Sequence, residues 1–440
     1  MAGTSSGVGK TTVATGLMAA LRARGIRVAA AKVGPDFIDP GYHALATGRP
    51  GRNLDPWMCG EAVIPALAAR AAAGAQLLII EGVMGLFDGA GSTAMASTAH
   101  VATLLQAPVL LVVDASAMSA SVAAVVHGFS TFDPQVAIAG VVLNRVGSDR
   151  HEALLRAALA PLGIPVVGAL RRDDGFGWRD RHLGLIPVIE RPRQVEASLD
   201  RLAIAIGAQM DLALVQRLAA AAPSIEAPDT PTAPPGGRCR LGVAAGPAFS
   251  FGYADNLELV ASAGAELIAF DPLRDAALPP HIDGLIAGGG FPEVFAPTLA
   301  DNRPLLADTR RQVANGLVTW AECGGLLWLA AQLDGHRLCG AIDARGQMSD
   351  RLTLGYRTAT FRTATPFGPA GTVVRGHEFH YSSLDPPGDA LSFQGLNGSS
   401  AAHGGWASPT LLASYLHLHL AGTPKLATEL VRRASARSAR

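Results

Sequence analysis

The first twelve residues, MAGTSSGVGKTT, constrain the fold more than any other stretch of the chain. A glycine-rich loop ending in Gly-Lys-Thr wraps a phosphate only when a buried strand anchors its front and a helix starts behind it. Gly7 and Gly9 supply bare backbone, Lys10 supplies a charge for the phosphate oxygens, and Thr11 and Thr12 supply hydroxyls. The residues that follow, TVATGLMAALRARG, carry a helical pattern whose N-terminus faces the bound anion. Only Met1 and Ala2 precede Gly3, too few for the anchoring strand. The expectation is therefore that the working protein begins several residues earlier with a Val/Ile-rich strand, because a missing central strand leaves its neighbours' backbone groups unpaired.

The rest of the chain agrees with a parallel α/β architecture. AQLLIIEGVMG, APVLLVVDAS and VAIAGVVLNRV read as short buried strands, separated by stretches of helical period. Near 221–238 the pattern gives way to AAPSIEAPDTPTAPPGGR, a Pro-rich stretch without periodicity. A second α/β pattern then starts at CRLGVAAG and ends in SPTLLASYLHLHL. The expected organisation is an ATP-type domain over 1–205, a linker over 206–239 and a second parallel-sheet domain over 240–440, with RRASARSAR as a solvated tail. Lys plus Arg and Asp plus Glu number 36 each, which removes any global electrostatic case for nucleic acid or a membrane surface. The longest apolar runs are far shorter than a membrane span. Four Cys without framework spacing, and an N-terminus without a basic region followed by an apolar one, set the cytoplasm as the expected compartment.

Glu81 closes an apolar strand, at the end where open α/β sheets bind ligands, and a carboxylate there can hold Mg²⁺ beside a triphosphate. Gly3 stands seven positions before Lys10, one more than the usual loop of this kind. That longer loop resembles dethiobiotin synthetase and its relatives. KVGPDFIDPGYH (32–43), GRNLDPWM (51–58), IIEGVMGLFDG (79–89) and GVVLNRVGSDRHE (140–152) are similar, in this order, to the cobyrinic and hydrogenobyrinic acid a,c-diamide synthases. The resemblance implies an amidoligase that uses ATP and glutamine on two acetate side chains of a corrin precursor. It implies Mg²⁺ held by Thr11, Asp55 and Glu81, and an adenine edge met by Asn144. It also places Lys32, Asp36, Asp39, Tyr42 and Asp88 around substrate and phosphate.

In the second half, WAECGGL sets Cys323 between a strand-like GLVTW and a helix-like LLWLAAQL. A thiol on such a turn is expected to be exposed, with a lowered pKa that favours the nucleophilic thiolate. Gly324, together with Gly289 and Gly290 of AGGGFPE, offers backbone N–H groups to an oxyanion. This is the pattern of a class I glutamine amidotransferase. Its base is expected at His417 of ASYLHLHL, where Tyr-x-His fits that family. Ordinary members carry a Glu two positions later to orient the imidazole, but here His419 stands there, so the orienting group is left open. His377, Glu378 and His380 of VRGHEFHYS break the spacing of a zinc site and are read as structural or interdomain groups. Cys59, Cys239 and Cys339 have no comparable setting.

The expected partners are ATP, glutamine and a corrin precursor, with Mg²⁺ as cofactor, no nucleic acid, no membrane and a homodimer as the candidate assembly. Two other readings compete. A cobyric acid synthase would amidate other corrin side chains, but its N-terminal motifs lack the KVGPDFIDPGYH form. A P-loop regulatory ATPase with a degenerate second domain would have no need of the intact Cys, His and Gly set.

Overall fold

The Val-rich runs of the first half do become parallel strands buried on both faces, as in Val109–Asp114, where Leu111, Val112 and Val113 are fully enclosed. The structure is a computed structural model that describes residues 1–172, 180–181, 184–185, 188, 192–225, 231–396, 398 and 402–438. The chain divides into two units, Met1–Thr230 and Pro231–Arg440.

In the first unit, one parallel sheet runs in the order Ala2–Gly3, Val109–Asp114, Ile138–Val146, Val166–Arg171. A second has Val28–Val33 between Arg52–Leu54 and Leu77–Glu81, also parallel. Met1 ties the two together: its amino group donates to the Ile80 carbonyl at 2.8 Å and its own carbonyl accepts the Gly82 N–H at 2.8 Å. The helix Lys10–Ala23 buries Val13, Ala14, Leu17, Met18 and Leu21 and packs against the helix Pro192–Gln209. Arg22 in its last turn complements the helix dipole. The expected boundary at residue 205 thus falls inside a helix of the first unit. Leu212–Ala220, inside the expected linker, is a helix too, because Leu212 and Val215 bury themselves against that unit's core. Residues 226–230 of the Pro-rich stretch lie outside the described residues.

An apolar cavity of about 550 Å³ in this unit is lined by Met1, Leu78, Ile80, Pro108, Leu110 and Val215 among others.

The second unit carries a sheet in the order Ala265–Phe270, Cys239–Ala244, Gly284–Ala287, Val318–Glu322, Leu411–Ser414, Trp406–Ser408. All neighbours are parallel except the last pair. A second, seven-stranded sheet, centred on the antiparallel pair Ile342–Phe361 and Val373–Asp385, adds what the sequence reading did not anticipate. Its signal is the strict alternation of buried and exposed side chains from Ile342 to Gln347. The expected basic tail is likewise structured: the helix Lys425–Ser438 buries Leu430, Val431 and Ala434 and packs on Cys239–Ala244. Among the described residues no helix is long and apolar enough to cross a membrane.

Candidate active site

The Gly-Lys-Thr loop sits where its pattern requires, between Ala2–Gly3 and Lys10–Ala23. Gly9 caps the helix at φ 93°, and a Cβ there would lie 2.3 Å from the Asn144 Nδ2 atom. Only glycine fits. Asn144, at the end of Ile138–Val146, donates one Nδ2–H to the Val8 carbonyl at 2.8 Å, and Arg145 donates to the Gly7 carbonyl at 3.0 Å. The loop is thus laced to the sheet from behind. Lys10 folds its ammonium onto the Ser5 carbonyl at 3.0 Å, and burial, with Lys32 adding to it, pushes its pKa down to about 8. Thr12 stands half-buried in the first turn of the helix.

Thr11 leads to a buried polar cluster. Its hydroxyl donates to Glu81 at 2.6 Å and reaches Asp39 Oδ2 at 3.4 Å. Lys32 lies opposite Glu81 in parallel register and pairs with both carboxylates, at 2.9 Å to Glu81 and 2.6 Å to Asp39. His43 Nε2 completes the set at 2.6 Å from Glu81 Oε2. Burial works against the Glu81 charge, yet Lys32, His43 and Thr11 outweigh it and hold the carboxyl well below the usual range. Burial opposes the Lys32 charge as well, and Asp39 and Glu81 overcome it and raise its pKa.

Of the residues expected here, Thr11, Glu81, Lys32 and Asp39 come together. The Asp55 Oδ1 accepts the N–H groups of Trp57 and Met58 and caps the helix Pro56–Cys59. The carboxylate that accompanies Glu81 at Thr11 is Asp39. Asp36 accepts the N–H groups of Ile38 and Asp39, Asp88 accepts that of Gly85, and Tyr42 is buried in the helix Asp39–Thr47. Asp55→Ala is expected to lower stability by about 1 kcal/mol with nucleotide use intact, whereas Asp39→Asn cripples nucleotide use. Denaturant melts and ATP turnover on the two variants read the difference.

The second unit assembles the Cys–His pair by strand pairing. Val318–Glu322 and Leu411–Ser414 are parallel neighbours with Glu322 opposite Ser414, so Cys323 and His417 emerge at one end of one sheet. Cys323 takes φ 48° and ψ −100° at the strand-to-helix turn, a strained conformation for a residue with a Cβ. It is 7% exposed, more enclosed than expected, because Ala321, Leu326 and Leu327 pack around the turn. His417 lies within hydrogen-bonding contact of Cys323. Burial opposes its charge, but Cys323 and Glu322 overcome that and push its pKa up to about 10.

One glycine assignment changes. The Gly289 N–H donates to the Phe251 carbonyl at 3.0 Å, so it is not an oxyanion donor. Gly289 serves by having no side chain, since a Cβ would lie 2.6 Å from His417 Cε1. Gly290 and Gly324 are the adjacent pair: a Cβ on Gly324 would stand 2.9 Å from the Gly290 nitrogen.

Comparison with known proteins agrees with both halves. Residues 1–184 match the CobQ/CobB/MinD/ParA nucleotide binding domain, and residues 240–425 match the CobB/CobQ-like glutamine amidotransferase domain. The hydrogenobyrinate a,c-diamide synthase of Streptomyces coelicolor is 46% identical over 98% of this chain and 96% of its own length. The chain belongs to the a,c-diamide synthase family. The hydrogenobyrinate a,c-diamide synthase of Thermobifida fusca is also 46% identical, over 96% of this chain and 94% of its own. The cobyrinate a,c-diamide synthase of a Synechococcus strain is 45% identical, over 97% and 96%.

In this member of the family, sequence reasoning missed His43 and Glu322. His43 ends the KVGPDFIDPGYH motif, and a fully buried imidazole there needs an acidic partner. Glu322 directly precedes Cys323, and its Oε2 lies 3.5 Å from His417 Nδ1. His419 does not take that place. It stacks on Tyr253 at 4.6 Å, and burial pushes its pKa down to about 4, so it is neutral. His377 pairs in register with His417, Glu378 pairs with Arg357 at 2.8 Å, and His380 stacks on Tyr415 at 3.7 Å. Each of these contacts lies within the second unit.

Proposed function

We infer that the chain is an ATP- and glutamine-dependent amidoligase that converts the a and c acetate side chains of hydrogenobyrinic or cobyrinic acid to amides. The observation that carries the reading is the presence, on one chain, of the Lys10–Thr11 loop with its buried acidic cluster and the strained Cys323 beside His417. Either site alone fits many proteins. Together they supply an activated carboxyl group and a nitrogen to displace the phosphate.

At the glutaminase site, His417 takes the thiol proton and Cys323 Sγ bonds to the amide carbon of glutamine while the carbonyl electron pair moves to oxygen. Gly290 and Gly324 N–H groups face that oxyanion. The tetrahedral intermediate collapses, the C–N bond breaks, and the nitrogen leaves as ammonia with the proton from His417. Water then cleaves the thioester to glutamate. At the nucleotide site, a substrate carboxylate oxygen bonds to the γ-phosphorus while the bond to the β-phosphate oxygen breaks and ADP leaves; ammonia then bonds to the acyl carbon and gives up a proton, and phosphate departs to leave the amide. Lys10 and the loop amides hold the phosphates. Thr11, Asp39 and Glu81 are hard oxygen donors that fit Mg²⁺. Among the described residues no three His, Cys, Asp or Glu converge on a metal, so such a cation needs nucleotide oxygens as well. When bound, it neutralises phosphate charge. Asn144 serves the nucleotide through the loop it holds and through its remaining amide hydrogen.

Relatives acting on the cobalt-free and cobalt-containing precursors are similar to this chain to nearly the same degree. Purified protein given each corrinoid with ATP, Mg²⁺ and glutamine is expected to form diamide from at least one. Comparison of kcat/KM then ranks them, and failure on both would overturn the reading.

A further inference from the structure

We propose that Glu322, the residue directly before the nucleophile, is the positioning residue of His417 and completes the glutaminase site as a Cys323–His417–Glu322 set. This rests on the reading of the second unit as a glutaminase. The acidic group comes from the strand that carries the cysteine rather than from a position just after the histidine.

Three observations support it. Oε1 of Glu322 is fixed by two donors, Trp320 Nε1–H at 3.1 Å and the Leu418 N–H at 2.9 Å. The other oxygen, Oε2, faces His417 Nδ1 at 3.5 Å, an ion-pair distance that a bound substrate would tighten. Glu322 is 5% exposed and His417 1%, so the charge is held away from water. The two donors on Oε1 would be served as well by a neutral amide oxygen. Among the described residues His417 is the ion-pair partner of this carboxylate, and a buried carboxylate without such a partner is costly. With Nδ1–H held toward Oε2, Nε2 is left to take the thiol proton, and the imidazolium that forms is stabilised where it stands.

The register makes the arrangement mechanical. Glu322 and Ser414 are opposite in parallel strands, and three residues later the chain presents His417, which pairs with His377 of the second sheet. The titratable groups around His417 are Cys323 and Glu322 from the cysteine strand and turn, His377, Glu378 and His380 from the neighbouring strand, and His419 on its own segment. Burial keeps His377 and His380 uncharged, with pKa values pushed down to about 3 and about 4, and Glu378 is paired with Arg357. That leaves Glu322 as the carboxylate that faces the imidazole within ion-pair distance among the described residues.

The decisive variant is Glu322→Gln. Trp320 and Leu418 select the amide orientation, with oxygen at the Oε1 position, so the NH₂ group must point at Nδ1. His417 is then driven to the tautomer with its hydrogen on Nε2, which cannot accept the thiol proton. Ammonia release from glutamine is expected to fall about 10²- to 10⁴-fold in kcat, with KM for glutamine and ammonium-dependent amidation changed by less than about threefold. Glu322→Asp, which keeps the charge, is expected to recover at least about tenfold over the Gln variant. A second readout is independent of turnover: the pH profile of Cys323 alkylation by iodoacetamide, followed on its own peptide by mass spectrometry. Its midpoint is expected to rise by about one unit or more in Glu322→Gln, because the thiolate loses its stabilised imidazolium. Wild-type ammonia release from Glu322→Gln, or alkylation profiles that coincide, would overturn the proposal. If Glu322→Gln also loses ammonium-dependent amidation, Glu322→Asp decides: an alkylation midpoint closer to the wild-type value than to that of Glu322→Gln supports the proposal, and a midpoint equal to that of Glu322→Gln overturns it. If the wild-type protein released no ammonia from glutamine, the glutaminase reading would fail, while the alkylation profiles would still report whether Glu322 acts on His417.

Discussion

Cys323→Ala is expected to abolish glutamine-dependent amidation, by roughly a thousandfold or more, and to leave amidation from high free ammonium close to the wild-type rate. The nucleophile is the one atom that glutamine hydrolysis cannot replace. Hydroxide does not substitute for it in the proposed mechanism, which assigns the Gly290 and Gly324 amides and His417 to serve attack by Sγ. Nothing in the nucleotide cluster depends on Cys323: Lys10, Thr11, Lys32, Asp39, His43 and Glu81 all belong to the first unit. The change also relieves little packing, since one sulfur is lost from a turn whose neighbours remain enclosed. The measurement is a pair of assays on one preparation, with glutamine and with ammonium as nitrogen donor. Equal loss in both would contradict the division of labour between the two sites.

Glu81→Gln is expected to have the opposite signature. It removes the charge at the centre of the buried cluster, where Lys32 and His43 both meet it and where Thr11 donates to it. Lys32 is left with Asp39 alone, and breaking a buried pair in this way costs about 3–5 kcal/mol. ATP-dependent amidation should therefore collapse with either nitrogen donor, while glutamine hydrolysis by the second unit survives. The sign of the pH dependence follows from the lowered Glu81 pKa. Its stabilising contribution is present above the ordinary glutamate range and is lost as the pH falls toward the folded-state value. The variant should consequently show a flatter acid limb in thermal stability. Near-normal ATP turnover would remove Glu81 from the nucleotide site.

What the sequence disclosed was local chemistry. The Gly-Lys-Thr loop, Glu81 at a strand end, Cys323 between Gly-rich turns and the Tyr-x-His at 415–417 are each set by a few adjacent residues, and each stands where its pattern placed it. Assignments that depend on distant pairing fared less well. Asp39 and Asp55 both follow parallel strands and look alike in sequence. Only the fold shows one at the Thr11 hydroxyl and the other spending its oxygen on a helix cap. Gly289 and Gly290 are neighbours, yet the bridge to Phe251 takes the first N–H. Glu322 was in view beside the cysteine, but its meeting with His417 is created by the pairing of strands almost a hundred residues apart in the chain. The antiparallel sheet of the second unit was not read from the sequence, because the alternation over Ile342–Gln347 rests on small residues such as Ala344 and Gly346, and only the fold shows them buried.

The central claim is that one chain moves nitrogen from glutamine to a corrin carboxylate through Cys323. It is tested most directly by incubating the purified protein with hydrogenobyrinic acid, and separately with cobyrinic acid, in the presence of ATP, Mg²⁺ and glutamine labelled with ¹⁵N in its amide. Mass spectrometry of the corrinoid is expected to show two ¹⁵N atoms incorporated per molecule, dependent on ATP and absent in Cys323→Ala. ATP hydrolysis without label in either corrinoid would contradict the account.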